Sequence, residues 1–304
     1  MWRELEADSG EELMKLCGLV LAGPANGEAV PGVLLAKKRY DVPIAEIDHA
    51  TAAEAFPTIR FNEQHTILTE QDAGYLRVDD CVRTHLSRAQ ELGAIARGNE
   101  RVVSWTSSAD GVEVTTNVGT YSAAKLIVSA GAWSEDLLPQ VSLGLKILRK
   151  PVFWFDDVSP TPRTWPVFYI EDANLSFYGL PGLVPGQIKL AEHSRGVEVV
   201  DPTNLDRDLS AADTEPVMTF AANSLRDTSA EPTHGSICMY SMSRDGHFCV
   251  GRHPRFNNVV LAAGFSGHGF KFTPVIAAAV SDLVEYGSTD LPIDFLGLQR
   301  DTNV

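Results

Sequence analysis

The sequence predicts an α/β fold joined to a largely antiparallel β layer. Two apolar runs that end in glycine turns, KLIVSAGAW (125–133) and NVVLAAGFSGHGF (258–270), have the character of strands buried on both faces of one parallel sheet. Between them, residues 144–193 break into short alternating segments separated by Pro, Gly and Asp, the pattern of an antiparallel sheet. With 304 residues, 44% of them hydrophobic and 21% charged, the chain can build two units with a ligand at their border.

Residues 2–16 carry Trp2, Leu5, Leu13 and Leu16 at helical spacing and are expected to form a helix. A strand over 17–23 follows, then a helix over 45–56 stopped by Pro57, and a strand and loop over 65–76. Residues 78–94 read as a helix capped by Asp79 or Asp80, with Cys81, Leu86, Ala89 and Leu92 on its packed stripe. Segments 101–108 and 111–117 alternate like a hairpin. The run over 123–133 is a strand ending at Gly131, followed by a short helix from Ser134. After the antiparallel region, 209–225 is partly helical with Pro216 near a start. Strands return over 233–251, and 258–286 gives strand, glycine turn and final helix.

The net charge of −15 argues against general affinity for nucleic acid or anionic lipid. No run approaches the ~20 apolar residues of a membrane span. The acidic amphipathic N-terminus is unlike a signal peptide, so a cytoplasmic protein is expected. Cys17, Cys81, Cys238 and Cys249 are scattered without C-x-x-C, which suits a reducing compartment. His193, His234, His247 and His253 show no metal-ligand spacing with each other or with the cysteines, so no metal site is expected. G-F-S-G-H departs from the G-x-S-x-G of hydrolases, and no G-x-x-x-x-G-K-[ST] phosphate loop occurs. Gly264, Gly267 and Gly269, between strand and helix, permit close approach of an anionic or hydrogen-bonding cofactor portion. By spacing alone a tight connection without ligand is equally acceptable.

The run CMYSMSRDGHFCVGRHPRFNNVVLAAGFSGHGFKF (238–272) resembles the C-terminal signature of the sarcosine oxidase and N-methyltryptophan oxidase family of FAD enzymes. The similarity extends through YGLPG and IKLAEH (178–193), KLIVSAGAWSEDLL (125–138), residues 74–94 and 2–24, and the tail LPIDFLGLQR (291–300). It implies a Rossmann-like FAD-binding domain from 1–16, 70–143 and 243–304, with an inserted antiparallel-sheet substrate domain from 17–69 and 144–242. It implies FAD joined covalently through Cys238. Flavin-contacting turns fall at Ala130, Gly131, Ala132 and Trp133, and at Gly264, Phe265, Ser266, Gly267, His268, Gly269 and Phe270. Tyr178, His193 and Tyr240 would line the substrate amine, Lys271 would pair with its carboxylate, and Lys189 would face the oxygen site. The implied partners are a small amino-acid substrate and oxygen.

Members of this family open with a strand, a G-x-G-x-x-G turn and a helix, a unit of ~30 residues that holds the FAD pyrophosphate. Met1-Trp2 already matches a helix beyond that unit. The expectation is therefore a cofactor domain incomplete at its N-terminus, lacking also an arginine that helps bind the substrate carboxylate. The family's monomeric state would then give way to possible pairing with a partner chain. The activity implied is oxidation of a secondary, N-methyl amino acid with release of hydrogen peroxide and an aldehyde. The alternatives are a non-catalytic remnant or interaction subunit, or an oxidase of cyclic imino acids or sugar-modified amino acids.

Overall fold

The computed structural model describes residues 1–161, 163–172 and 174–300. Among the described residues, seventeen strands and seven α-helices follow one another. They begin with α1 (Trp2–Ser9), β1 (Met14–Leu16), β2 (Leu19–Pro24), α2 (Ala29–Tyr40), β3 (Ala45–Ile47), α3 (His49–Ala55), β4 (His65–Glu70), β5 (Gly74–Leu76) and α4 (Val78–Glu91). Next come β6 (Val102–Ser108), β7 (Gly111–Thr116), β8 (Thr120–Ala123), β9 (Leu126–Val128) and α5 (Ser134–Leu137). Then follow β10 (Lys146–Asp156), β11 (Val167–Asp172), β12 (Leu175–Pro181), β13 (Gln187–Glu192), β14 (Val197–Glu198) and α6 (Ala211–Ser224). The chain closes with β15 (His234–Met242), β16 (Cys249–Arg252), β17 (Val259–Ala263) and α7 (Thr273–Glu285). No helix of the described residues is long and apolar enough to cross a membrane.

The nine-stranded sheet runs β14-β10-β13-β12-β11-β2-β4-β3, with β15 also paired to β10. All of its pairs are antiparallel except β2 with β11. Period-two alternation sends Phe153, Phe155, Phe168, Phe177, Ile188 and Leu190 to one face. There α6 covers them with Val217, Phe220 and Ala221, and the Phe177 and Phe220 rings stack at 4.2 Å. Each of the Phe, Ile, Leu and Val side chains contributes roughly 1.5–3 kcal/mol through burial. That clamps one face of the sheet and leaves the other for chemistry.

The second layer holds the parallel pair expected from the two apolar runs: β9 and β17 are parallel, with β16 antiparallel on the far side of β17. All five residues of β17 are buried, between a cluster built on Val128, Leu138 and Leu143 and another built on α7. The run over 123–133 is less buried than expected. Its strand is only Leu126–Val128, and Ile127 is 47% exposed because β9 is covered on one face alone.

Several elements differ from the sequence reading for identifiable reasons. The helix expected over 2–16 ends at Ser9, where Gly10 takes φ 75° and donates to the Glu6 carbonyl. The Glu6 carboxylate then accepts the N–H groups of Leu13 and Met14, at 2.7 and 2.9 Å, and turns the chain into β1. The helix over 45–56 is split, because Asp48 caps α3 by accepting from the Thr51 N–H at 2.7 Å and leaves Ala45–Ile47 as a strand. Neither Asp79 nor Asp80 caps α4; Asp80 pairs instead with Arg77 and Arg83. The α4 stripe buries Cys81 and Thr84, whereas Leu86 and Leu92 are exposed. Helix α6 starts at Ser210 through a capping box with Asp213, which puts Pro216 inside the helix rather than near its start. Helix α2, which no local signal announced, begins where the Glu171 carboxylate accepts from the Glu28 and Ala29 N–H groups, each at 2.9 Å.

Candidate active site

The sheet face opposite α6 gathers Tyr178, Lys189, Cys238 and Tyr240 of the residues singled out in the sequence. Cross-strand register places Tyr178 of β12 between Tyr169 of β11 and Ala191 of β13. The next rows set Leu180, Lys189, Trp154 and His234 in line across four strands. On β15, Cys238 lies opposite Lys150 and Tyr240 opposite Leu148, so both point to this same face. His193 follows β13 two residues beyond Ala191, fixed by its N–H donating to the Ser176 carbonyl at 2.7 Å.

His193, Tyr178 and Tyr240 meet. The His193 Nδ1 lies 3.3 Å from the Tyr240 hydroxyl, and the Tyr178 and Tyr169 rings approach the imidazole edge-on at 6.3 and 5.9 Å between centroids. Burial, with the fields of Lys150, His268 and Lys271, pushes His193 down to about 4, so the imidazole is uncharged at neutral pH. Burial raises both tyrosines, which remain neutral phenols able to donate hydrogen bonds.

The glycine turn seats on this cluster. Ser266, at φ 49°, donates its N–H to the Ser241 carbonyl at 2.9 Å, and its Oγ accepts from the Ser243 N–H at 3.1 Å. Gly267, at φ 76°, lies flat against the Tyr240 ring; a Cβ there would stand 2.4 Å from Cε2. The turn therefore lets Tyr240 pass directly beneath the backbone, which only glycine permits. Lys271 follows, its Nζ donating to the His268 carbonyl at 3.2 Å. Burial lowers the Lys271 ammonium from the ordinary lysine range, although part of the residue remains exposed. Trp2 of α1 holds this segment from outside: its indole N–H donates to the Lys271 carbonyl at 3.0 Å and its ring stacks on Phe270 at 5.8 Å.

The other expected turn lies beside β15 as well. Residues Gly131–Trp133 form a 3-10 turn packed along that strand, with Gly131 at φ 54° and open space where a Cβ would point. Ala132 is half-buried, and the Trp133 indole donates to Thr203 Oγ1 at 3.1 Å. Cys238 is an exposed free cysteine between Ser236 and Tyr240 on the face. Lys189 stands one row away from Tyr178 and Tyr169 and farther from Tyr240, with Nζ 5.3 Å from the Trp154 ring centroid. Sequence reasoning missed Tyr169, Trp154 and above all Lys150. Lys150 sits in a strand whose sequence gives no sign that a lysine is buried there. Pockets of about 70 Å³ at Arg244, Cys249 and Arg300 and of about 530 Å³ along Ser107–Asp110 and Arg255–Asn258 lie away from this face.

Residues 1–283 match the FAD dependent oxidoreductase family abbreviated DAO. The chain belongs to that family. Monomeric sarcosine oxidase of Streptomyces avermitilis is 32% identical over 99% of this chain and 80% of its own length. N-methyl-L-tryptophan oxidase of Yersinia pestis is 28% identical over 99% of this chain and 81% of its own length. Among solved structures, the open form of NikD, an unusual amino acid oxidase essential for nikkomycin biosynthesis, superimposes with a TM-score of 0.85 at 20% identity. That match covers 97% of this chain and 80% of the NikD chain. Glycine oxidase from Geobacillus kaustophilus gives 0.82 at 19% identity, covering 98% and 79%. The chain thus has the fold of the FAD-dependent amino acid oxidases: a Rossmann-like α/β part joined to an antiparallel-sheet substrate part.

The residues present fit the flavin end of FAD. The Gly131 turn offers unobstructed backbone, Cys238 presents a free thiol to an open face, and the Gly264–Phe270 turn lies beside both Tyr240 and Lys271.

Proposed function

We propose that this chain catalyses the FAD-dependent oxidation of a secondary, N-methyl amino acid such as sarcosine, with oxygen as acceptor. In balance, R–NH–CH3, oxygen and water give R–NH2, formaldehyde and hydrogen peroxide. The observation that carries this is the contact of an uncharged His193 with Tyr240 beneath the Gly267 turn, with Lys271 at the end of that turn. Bound FAD supplies the two-electron acceptor.

Everything else falls to the protein. Lys271 attracts the substrate carboxylate by charge. Tyr178 and Tyr240 donate hydrogen bonds without carrying charge, and His193 accepts one without adding a cation. The positive field of Lys150 and Lys271 disfavours the protonated amine, so the substrate is held with its nitrogen lone pair free. Lys189 supplies fixed positive charge where oxygen is reduced, steadied by Trp154. The turns Ala130–Trp133 and Gly264–Phe270 would cradle the cofactor, and Cys238 would hold it through a thioether. On this view the nine-stranded sheet with α6 is the substrate side, and the β9–β17 layer with α7 the cofactor side. A cytoplasmic location accords with the four free cysteines.

The test is to incubate the purified chain with FAD and assay peroxide release with sarcosine, N-methyltryptophan, proline and a fructosyl amino acid. Yellow colour should survive acid precipitation and disappear from the precipitate of Cys238→Ser. A chain that takes up no FAD and oxidises none of the four amines refutes the proposal in favour of a non-catalytic role.

A further inference from the structure

We propose that Lys150 is a positioning residue of the amine site: it clamps the 193–195 turn so that the His193 imidazole meets Tyr240, and its charge holds that imidazole and the neighbouring amine unprotonated. This rests on the reading of the sheet face as an amine-oxidising site. Lys150 is 2% exposed, among the largest fully buried side chains of the described residues. Its Nζ donates to the His193 carbonyl at 3.0 Å and to the Arg195 carbonyl, and lies 5.0 Å from the Tyr240 ring centroid. One ammonium thus touches both partners of the His193–Tyr240 contact from behind.

A buried ammonium is costly, and two carbonyls alone could be satisfied by a neutral donor. Its charged neighbours, the Glu192 carboxylate and the Arg195 guanidinium, pair with each other at 2.7 Å, so their fields at the ammonium oppose one another. Its field is felt where it matters. The groups facing His193 are Tyr240 from β15, Tyr178 from β12, Tyr169 from β11, and His268 and Lys271 from the glycine turn. The tyrosines are uncharged, and Lys150, bonded to the carbonyl of His193 itself, is the leading charge on the imidazole, ahead of His268 and Lys271.

The experiment follows the His193 ring resonances by NMR against pH in the full-length chain, assigned with His193→Asn. The chains compared are the wild type, Lys150→Gln, which keeps a donor without charge, and Lys150→Arg, which keeps both. In Lys150→Gln the His193 midpoint should rise by roughly one unit, as expected for losing a unit charge within ~10 Å at an effective dielectric of ~20. Lys150→Arg should restore the wild-type midpoint. A second measurement needs no variant: the wild-type His193 resonances should show an inflection near pH 8, where burial has brought the Lys150 ammonium to about 8. An unmoved midpoint in Lys150→Gln, or wild-type His193 resonances with no inflection anywhere across the lysine range, about pH 7 to 11, overturns the proposal. If the midpoint moves but the wild-type chain oxidises no amine, the clamp stands and the functional reading alone falls.

Discussion

Replacing Gly267 by alanine tests the joint between the glycine turn and the substrate cluster. The new Cβ would stand 2.4 Å from Tyr240 Cε2 and 2.5 Å from Cδ2, about 1 Å inside ordinary van der Waals contact. Two costs add: ~1–2 kcal/mol for a side chain at positive φ, and ~1–3 kcal/mol for overpacking. The sum is about 2–5 kcal/mol, which at roughly 2 °C per kcal/mol lowers Tm by roughly 4–10 °C in a chain of this size. Gly10→Ala is the control. Gly10 has nearly the same φ, 75° against 76°, but nothing within 4 Å of its Cβ position. Only the strain applies there, and Tm should fall by roughly 2–4 °C. The displaced Tyr240 ring should also open the 3.3 Å contact with His193. Activity should then fall roughly 10- to 100-fold, as expected for misplacement of about 1 Å. Differential scanning fluorimetry and peroxide release measure the two effects. If Gly267→Ala melts no lower than Gly10→Ala, Tyr240 does not lie beneath the turn and the turn is not seated on the substrate cluster.

Gly131→Ala meets no protein atom and should melt like Gly10→Ala, yet weaken FAD retention measured by flavin fluorescence; unchanged retention would remove this turn from the cofactor site. Lys189→Met should slow the oxygen-coupled rate by roughly 10²–10³-fold, and more than the dye-coupled rate, if its charge serves oxygen reduction. For His193, the folded value is lowered from 6.5 to about 4, so the unfolded chain binds the proton that the folded chain refuses. Its stabilising contribution is present above pH 6.5 and lost as pH falls toward 4. His193→Asn should therefore reduce the drop in urea midpoint between pH 7 and pH 5, and an undiminished drop would count against the buried neutral imidazole.

Much of this protein was legible in its sequence because the signals are local. Val259–Ala263 announces a buried strand by five consecutive apolar residues, and the β10–β13 region announces an antiparallel sheet by alternation and turn residues. The resemblance around Cys238 and Lys271 pointed to the FAD dependent oxidoreductase family and marked Tyr178, His193 and Tyr240, which the fold brings into contact. Errors came where a distant group overrode a local pattern. Glu171 nucleates α2 from 142 residues away, and the Glu6 carboxylate bends the expected N-terminal helix into a strand. Leu86 and Leu92 lie on helical spacing, but the neighbour that would bury them is not on their side of α4. Lys150 shows the limit most clearly. By composition a strand lysine is a solvated charge, and only the pairing of β10 with β13 and β15 encloses it among two carbonyls and an aromatic ring. The identity and order of the residues determined which strands form and what chemistry they carry. The tertiary structure alone decided which side chains share a face, because burial and the electric field inside a protein depend on neighbours that sequence distance does not record.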